Sequence, residues 1–463
     1  MDCLKKPIFF WCAAVFLLCL MLGASDLWTQ EWRWADIVWR MRATHDYLHP
    51  NLAGQPYNDK PWLSYWLMVL SSAVGGLNAG SLRLPSVLAG LLTLFATVQF
   101  GTALFNRATA YLAAWLLLTT YFFVFWSRVA SADMLNVAGM MLAVAWYETQ
   151  KKKLTFFTYA VFFFILAATA LIKGLIVMVL VLLIVLPEMV MTKTIKKHLN
   201  RRFLLGLLMG VGIYFLPFYL AHQSGCAESS LYLVYRENIL RFFAPFDHQG
   251  PWYTYFIYLP LYLLPWSVIA LGVWGINKKN LLPRTSAQNA FLISTLFIFV
   301  FFTLSGSRRS YYILPMVPLV MLWVAYLFQT IKNKKNLYRV IAFFYVLLLC
   351  WFAYVQPLYY RRHGVQAFAA QIKQSAAAYA PWSTWSVVMI ASDDRVGFYL
   401  APIVPSTSFR SFEDFKKSKL KIKRPAVVVL QPAMLLEITK QYPASTWISP
   451  PKNTSLPAVV LIP

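Results

Sequence analysis

The chain has 463 residues, 59% of them hydrophobic, 17% aromatic and 13% charged, where soluble domains run at roughly 45–50% apolar and about 25% charged. A single water-soluble globule does not fit, because apolar stretches of the roughly 20 residues needed to cross a bilayer recur along most of the chain. Forty-two Lys and Arg against 17 Asp and Glu leave a formal charge of +25; in a membrane protein such a charge sets orientation or holds anionic lipid and phosphate before it points to nucleic acid.

In chain order, Lys5 and Lys6 precede an apolar segment near 8–28. No small-residue cleavage motif follows it, so it is expected to remain as a first span. Further spans are predicted near 82–104, 109–125, 128–147, 154–171, 174–191, 203–222, 252–276, 287–305, 309–331 and 338–358, eleven in all. With the N-terminus in the cytoplasm, the inside loops carry Arg107, Lys151 to Lys153, then Lys193, Lys196, Lys197, Arg201 and Arg202. Lys278, Lys279 and Arg284 follow, then Lys332, Lys334, Lys335 and Arg339, so every inside loop is basic. The first outside loop, 29–81, holds two amphipathic, Trp- and Tyr-bearing segments at 31–44 and 62–74 that suit helices lying at the interface. A second long outside loop spans 223–251.

An odd number of spans places residues 359–463 outside. There, short apolar runs at 387–390 and 426–430 alternate with Lys- and Pro-rich stretches, which suits a small α/β domain. The 416–424 charge run reads as a solvated face. The five cysteines (Cys3, Cys12, Cys19, Cys226, Cys350) form no CxxC pair, so no metal site or disulfide framework is read from them. No internal repeat of the kind many transporters carry is evident. The expected domains are a membrane domain over 1–358 and an extracytoplasmic domain over 359–463.

Charge is expensive near hydrocarbon, so ionisable residues at the outer span ends carry the functional signal. These are Glu31, Arg33, Asp36, Asp46, Asp59 and Lys60 in the first loop, then Arg128 and Asp133 at the head of span four and Lys173 in the turn after span five. Arg236, Glu237 and Arg241 precede span eight, and Arg308 and Arg309, with Tyr311 and Tyr312, open span ten. Taken singly, an Arg or Lys here is an interfacial anchor, Asp133 a helix cap, and Glu31 a partner for Arg33 or Lys60. Taken together they converge on one side, against the positive-inside bias. A cluster of cations that orientation does not explain fits an anion, and the ligand expected is a phosphate carried by something that lives in the membrane.

The stretch Glu31, Arg33, Trp34, Ala35, Asp36, Ile37, followed by Asp46, Pro50, Leu52, Gly54, Tyr57 and Lys60-Pro61, resembles the "DE-x-R-Y-A-E-I … GDW … P-x-L-x-G … Y-x-E-K-P" frame of the polytopic lipid-dependent glycosyltransferases. These include the bacterial aminoarabinose lipid A transferases and the dolichyl-phosphate-mannose protein mannosyltransferases. Asp133, Lys173-Gly174, Arg236-Glu237-Asn238, Arg241-Phe242, His248, Pro251, Trp252-Tyr253, Pro265-Trp266 and the 309–314 stretch match further on, in order. The resemblance covers about residues 10 to 330.

The resemblance implies a GT-C fold: a polytopic α-helical membrane bundle with interfacial helices and an extracytoplasmic C-terminal domain, in the bacterial inner membrane. It implies a polyprenyl-phosphate sugar as donor, a lipid or glycan acceptor such as lipid A, and a monomer that binds bilayer and no nucleic acid. By position, Lys60, Arg241, Tyr57, Tyr312 and Arg309 resemble the donor-phosphate contacts. Glu31 and Asp133 stand as the catalytic carboxylates, with Arg33, Lys173, Glu237 and Arg308 supporting the site or the acceptor. A divalent metal shared by Asp133, Glu31 and His248 is not excluded, although no metal-ligand spacing is present.

One departure is informative: the family usually has Asp before the Glu, and Gln30 stands there. Gln is no base for a hydroxyl nucleophile, so either Glu31 or Asp133 serves as base or none is needed; a phosphate acceptor is already ionised, and Gln30 therefore favours a lipid-phosphate acceptor over a hydroxyl. A protein O-mannosyltransferase-like enzyme, a flippase for lipid-linked sugars and an inactive scaffold are the alternatives. A flippase predicts charged or broken midplane helices.

Overall fold

The computed structural model describes the chain except residues 1–5, 29, 53–54, 58, 226–229, 245–246, 277–284, 391–393, 401–405, 410, 419–421 and 451–456. Lys278, Lys279 and Arg284 of the predicted inside loop, together with Gly54, Cys3, Cys226 and part of the 416–424 charge run, lie outside the described residues.

The first apolar segment forms α1 (Pro7–Cys19), shorter than predicted. Its end is set by Arg128, whose guanidinium donates to the carbonyls of Leu17, Leu18 and Leu20 at 2.9, 2.8 and 2.6 Å. Those are the carbonyls a helix C-terminus leaves unsatisfied, so Arg128 serves the bundle. The first loop folds as α2 (Glu31–Thr44), a two-residue hairpin of β1 (Asn51–Leu52) and β2 (Gln55–Pro56), and α3 (Leu63–Gly75). Helix α4 (Ala79–Leu104) opens on a capping box between Asn78 and Ser81.

The predicted third span is two helices, α5 (Arg107–Leu118) and α6 (Tyr121–Trp126). The break falls at Thr119 and Thr120, whose hydroxyls donate back to the carbonyls of Trp115 and Leu116, each at 2.7 Å. Then come α7 (Ala132–Gln150), α8 (Phe156–Lys173), α9 (Ile176–Met191), the short α10 (Ile195–His198) and α11 (Arg201–Gln223). Gly206 and Gly210, one turn apart, bring α11 onto α8; a Cβ at either would stand 2.8–2.9 Å from the Cβ of Tyr159 or Phe163.

Helix α12 (Ser230–Tyr235) passes through a π-turn at Arg236–Leu240 into α13 (Arg241–Phe243). The predicted eighth span is α14 (Thr254–Tyr262) and α15 (Trp266–Ile276), bent by 96° at the break. Pro265, which lacks an amide hydrogen, interrupts the ladder there; the break, Leu263 to Pro265, carries no charge. Helices α16 (Ser286–Leu304), α17 (Met316–Phe328), α18 (Lys334–Cys350) and, through a π-turn, α19 (Gln356–His363) complete the bundle.

Among the described residues five helices are long and apolar enough to cross a membrane, α4, α8, α11, α16 and the continuous 334–363 helix, or six if the bent pair is one span. The other segments read as spans from the sequence form the shorter apolar helices α1, α5, α9 and α17, together with α7, whose ends carry Asp133 and Glu148. Leu204, Leu205 and Leu208 of α11, and Leu296, Phe297 and Val300 of α16, are exposed large apolar side chains, as a lipid-facing surface requires.

Helices α7 and α9 run from the end of the bundle that holds Asp133 to the end that holds Lys151 and Lys193. At that far end Lys151 bridges Glu148 of α7, at 2.6 Å, and Glu188 of α9. The basic loops and the Asp133 end are therefore opposite poles.

The helix through 356–363 continues across the predicted domain boundary, and the second unit begins after Gly364 with α20 (Val365–Ala377). It contains β3 (Ser386–Ile390), α21 (Asp394–Leu400), β4 (Ser406–Phe409), α22 (Phe412–Lys417), β5 (Ala426–Leu430), α23 (Leu435–Gln441), β6 (Thr446–Ile448) and β7 (Ala458–Ile462). The sheet order is β4-β3-β5-β7-β6, with β3 parallel to β4 and β5, and β7 antiparallel to β5 and β6. Strands β5 and β7 are buried at every residue, with apolar clusters on both faces, which is why they read as unbroken apolar runs. Asp26, just ahead of α2, caps α20 by accepting from the amides of Val365 and, at 3.1 Å, Gln366, and the Leu27 amide donates to Tyr399 of α21 at 3.0 Å.

Candidate active site

At the Asp133 pole the helices leave a cavity of about 550 Å³, lined from the ends of α2, α7, α8 and α9, the 57–60 loop, the 237–248 segment and the 305–315 turn. Asp133 stands in the first turn of α7, after the Ser131 cap. Lys173 is the last residue of α8, and its ammonium lies 2.5 Å from the Asp133 carboxylate and 5.2 Å from the centre of the Tyr312 ring. The chain then turns at Gly174, φ +107°, a left-handed conformation suited to glycine. Asn238 holds that turn by accepting from the Leu175 amide at 2.8 Å.

Glu237 is the hub of the second group. Its carboxylate is 3.2 Å from the Lys60 ammonium, 2.5 Å from Arg241 and 3.1 Å from Arg236. Arg236 also bridges Asp59 at 2.9 Å, and Arg241 bridges Asp247 at 2.7 Å, which lies 3.1 Å from His248 Nε2. Burial lowers the Lys60 pKa, with Glu237 opposing and Arg241 reinforcing the shift. Burial also works against the Arg241 charge, but Glu237 and Asp247 outweigh it and hold that pKa above its ordinary value. Burial and the nearby Arg309 lower the His248 pKa, with the Asp247 charge opposing the shift. Tyr57 is pushed up to about 12 by burial and the Asp59 charge, which leaves its hydroxyl protonated and able to donate to an anion.

A third group has fewer counter-charges. Arg33 donates to the Tyr57 hydroxyl at 3.4 Å, and Arg309 to the Tyr311 hydroxyl at 2.8 Å. Among the described residues neither makes an ion pair with a carboxylate. Tyr311 also exchanges hydrogen bonds with the Gln30 amide at 3.1 and 3.3 Å.

Of the residues singled out from the sequence, Lys60, Arg241, Tyr57, Tyr312, Arg309, Asp133, Arg33, Lys173 and Glu237 all line this cavity. Two do not. Arg308 is turned away, donating to the carbonyls of Gly250 at 2.6 Å and Thr303 at 3.2 Å, and so pins the 248–250 loop. Glu31 is fully buried against Arg83, with Arg83 Nε at 2.8 Å and Nη2 at 2.7 Å. Its two oxygens also accept from the amides of Trp28 and Ala130, each at 2.6 Å. The partners weighed from the sequence, Arg33 and Lys60, are not the ones it takes, and its lone pairs are spent on structure.

A metal site of Asp133, Glu31 and His248 is not formed, because Glu31 is held outside the cavity. Among the described residues no group of three His, Cys, Asp or Glu is placed to hold a metal ion. Sequence reasoning missed Arg83, a charge just inside an apolar run, and Asn136, one turn beyond Asp133 on the cavity wall.

Residues 59–220 match the family described as dolichyl-phosphate-mannose-protein mannosyltransferase. The chain is 26% identical over 318 residues, 65% of its length, to the undecaprenyl phosphate-α-4-amino-4-deoxy-L-arabinose arabinosyl transferase 2 of Pseudomonas fluorescens. It is 26% identical over 339 residues, 71% of its length, to the corresponding transferase of Shewanella sediminis. These matches span 53% and 60% of the two relatives, so the chain spans little more than half the length of the curated relatives it matches. The crystal structure of ArnT from Cupriavidus metallidurans bound to undecaprenyl phosphate superposes with a TM-score of 0.77 at 18% identity, over 98% of both chains. The chain therefore has the GT-C membrane fold of ArnT, and in sequence it resembles the aminoarabinose transferases.

Proposed function

We propose that the protein is an integral-membrane glycosyltransferase that moves a sugar from a polyprenyl-phosphate donor to an acceptor outside the cytoplasm, with lipid A or a similar envelope lipid phosphate as the acceptor class. The observation that carries this reading is the meeting of Lys60, Arg241, Tyr57 and Arg309 with the Asp133–Lys173 pair in one cavity at the pole opposite the basic loops. The basic loops belong in the cytoplasm, so the cavity and the C-terminal sheet domain face the periplasm of a bacterial multi-pass inner-membrane protein. The names of the relatives, which specify undecaprenyl phosphate and 4-amino-4-deoxy-L-arabinose, support the same donor class.

The reaction is a displacement at C1 of the sugar. The acceptor oxygen forms the new bond to C1 as the bond from C1 to the donor phosphate oxygen breaks, and its electron pair leaves on the phosphate. Lys60 and Arg241, with the Tyr57 hydroxyl, stabilise the charge that grows there. Asp133, paired with Lys173 on the cavity wall, is the carboxylate assigned to the acceptor side. Gln30, at the position where the family carries Asp, lines the cavity and is hydrogen-bonded to Tyr311; a phosphate acceptor, already ionised, needs no base there. A single displacement inverts C1.

The test is incubation of purified protein with undecaprenyl-phosphate sugars and lipid A, read by mass spectrometry. A sugar-sized mass gain on the lipid that disappears with Lys60→Met is expected. Product with retained anomeric configuration refutes the mechanism, and absence of donor turnover with every acceptor refutes the function.

A further inference from the structure

Asn136 is an anomaly in the cavity wall. Its residue is fully buried, and among the described residues both its side-chain oxygen and its side-chain nitrogen lack a hydrogen-bond partner. Buried amides are nearly always bonded, since leaving one unmade costs more than a bond contributes when formed. Asn136 borders the cavity one turn beyond Asp133 on α7, and Ile176 and Val179 of α9 line the same cavity. One turn further, Gly139 lets α8 close against α7, since a Cβ there would stand 1.9 Å from Thr169 Oγ1. The amide is thus the last polar group of α7 before the bundle closes.

Resting on the glycosyltransferase reading, we propose that Asn136 is a sugar-contacting residue that pairs with a hydroxyl or amino group of the donor's sugar ring. The alternatives fail on chemistry. A phosphate, a pure acceptor, has the cations Lys60 and Arg241 to bind it, and it would satisfy only the Asn136 nitrogen, leaving the unpartnered oxygen without a donor. A polyprenyl tail has nothing for an amide to bond. A sugar carries neighbouring groups that both donate and accept, which a side-chain amide matches with two parallel bonds. The apolar Ile176 and Val179 suit the C–H face of a ring. A site built to hydrogen-bond a hydroxyl rejects a ligand that lacks it, because its own polar groups then stay unpaired.

The experiment compares binding of undecaprenyl phosphate with binding of the same lipid carrying 4-amino-4-deoxy-L-arabinose or mannose. It uses native mass spectrometry on full-length wild type, Asn136→Leu and Asn136→Ala in detergent. In wild type one of the sugar-bearing lipids is expected to bind about tenfold more tightly than the bare lipid, as loss of two neutral hydrogen bonds implies. In both variants that ratio falls to about one while affinity for the bare lipid is unchanged. Retention of the wild-type ratio in a folded variant overturns the assignment and leaves the glycosyltransferase reading standing. So does a wild type without preference. A wild type that binds none of the three lipids overturns that reading and this one with it.

Discussion

Replacement of Glu31 by Gln separates two roles for this residue. Each of its oxygens accepts two hydrogen bonds, one from Arg83 and one from a backbone amide. Arg83 turns its remaining hydrogens to the carbonyls of Leu22, Ser25 and Asp26, at 2.8, 3.0 and 2.6 Å. Glutamine keeps the shape but turns one oxygen into a donor facing two donors, and leaves a buried guanidinium without its counter-charge. Removing one partner of a buried ion pair costs about 3–5 kcal/mol. For a bundle of this size that lowers the melting temperature by on the order of 5 °C. The assay is thermal unfolding in detergent by tryptophan fluorescence, alongside transfer rate per folded molecule. The variant should melt earlier with near-normal turnover in what remains folded. Glu31→Leu with Arg83→Met should recover most of the loss, because an apolar pair replaces both charges. A variant that melts like wild type but turns over no donor refutes this reasoning and returns Glu31 to the chemistry.

Three other substitutions probe the site and its support. With the Lys60 pKa lowered by burial, its ammonium is lost as pH rises through a value below the ordinary 10.5, so donor affinity should fall on an alkaline limb there; Lys60→Arg, which keeps its charge, should move that limb upward, and an unmoved limb assigns it elsewhere. The same shift makes the folded state less stable below that limb, with stability rising between the folded and unfolded Lys60 values. Gln30→Asp should bring no gain in turnover on a lipid phosphate, since no proton needs removing, and a tenfold or greater gain, of the kind a positioned base supplies (roughly 10²-fold and more), would indicate a hydroxyl acceptor. Asp26→Ala removes the cap on α20 at about 1 kcal/mol and should speed hydrogen exchange in the first turn of that helix; unchanged exchange would show that the two units are held together by other contacts.

The sequence made the poles of the bundle legible, because charge at span ends is costly enough to be a signal wherever it occurs. Lys60, Lys173, Glu237 and Arg241 stood out for that reason, and the structure brings them to one cavity. The same rule misled at Arg128 and Arg308, whose guanidiniums serve backbone carbonyls. A helix end and a loop that need donors look, from composition, like a site that needs cations. Glu31 lies in the motif that carries the family resemblance, yet its partner Arg83 is 52 residues away, a distance no local spacing reveals. Asn136 is uncharged in the middle of a helical run, so its burial without a partner is visible only in three dimensions. The break at Thr119–Thr120 was hidden by hydrophobic runs on both sides, and the 96° bend near Pro265 by the apolar residues that continue on either side of it.

The sharing of Glu237 between Lys60 and Arg241 has a consequence for the end of a catalytic cycle. The two cations proposed to receive the leaving phosphate are never bare: a tethered carboxylate occupies them whenever the ligand does not. Binding is then an exchange of one anion for another, and inorganic phosphate, with no lipid tail to add to its side of the exchange, is poorly placed to win it. After transfer the balance reverses, since the spent carrier has lost its sugar contacts while its tethered rival has lost nothing. Under the proposed mechanism, Glu237 would compete with the carrier phosphate for the same two cations and so favour release of the spent lipid.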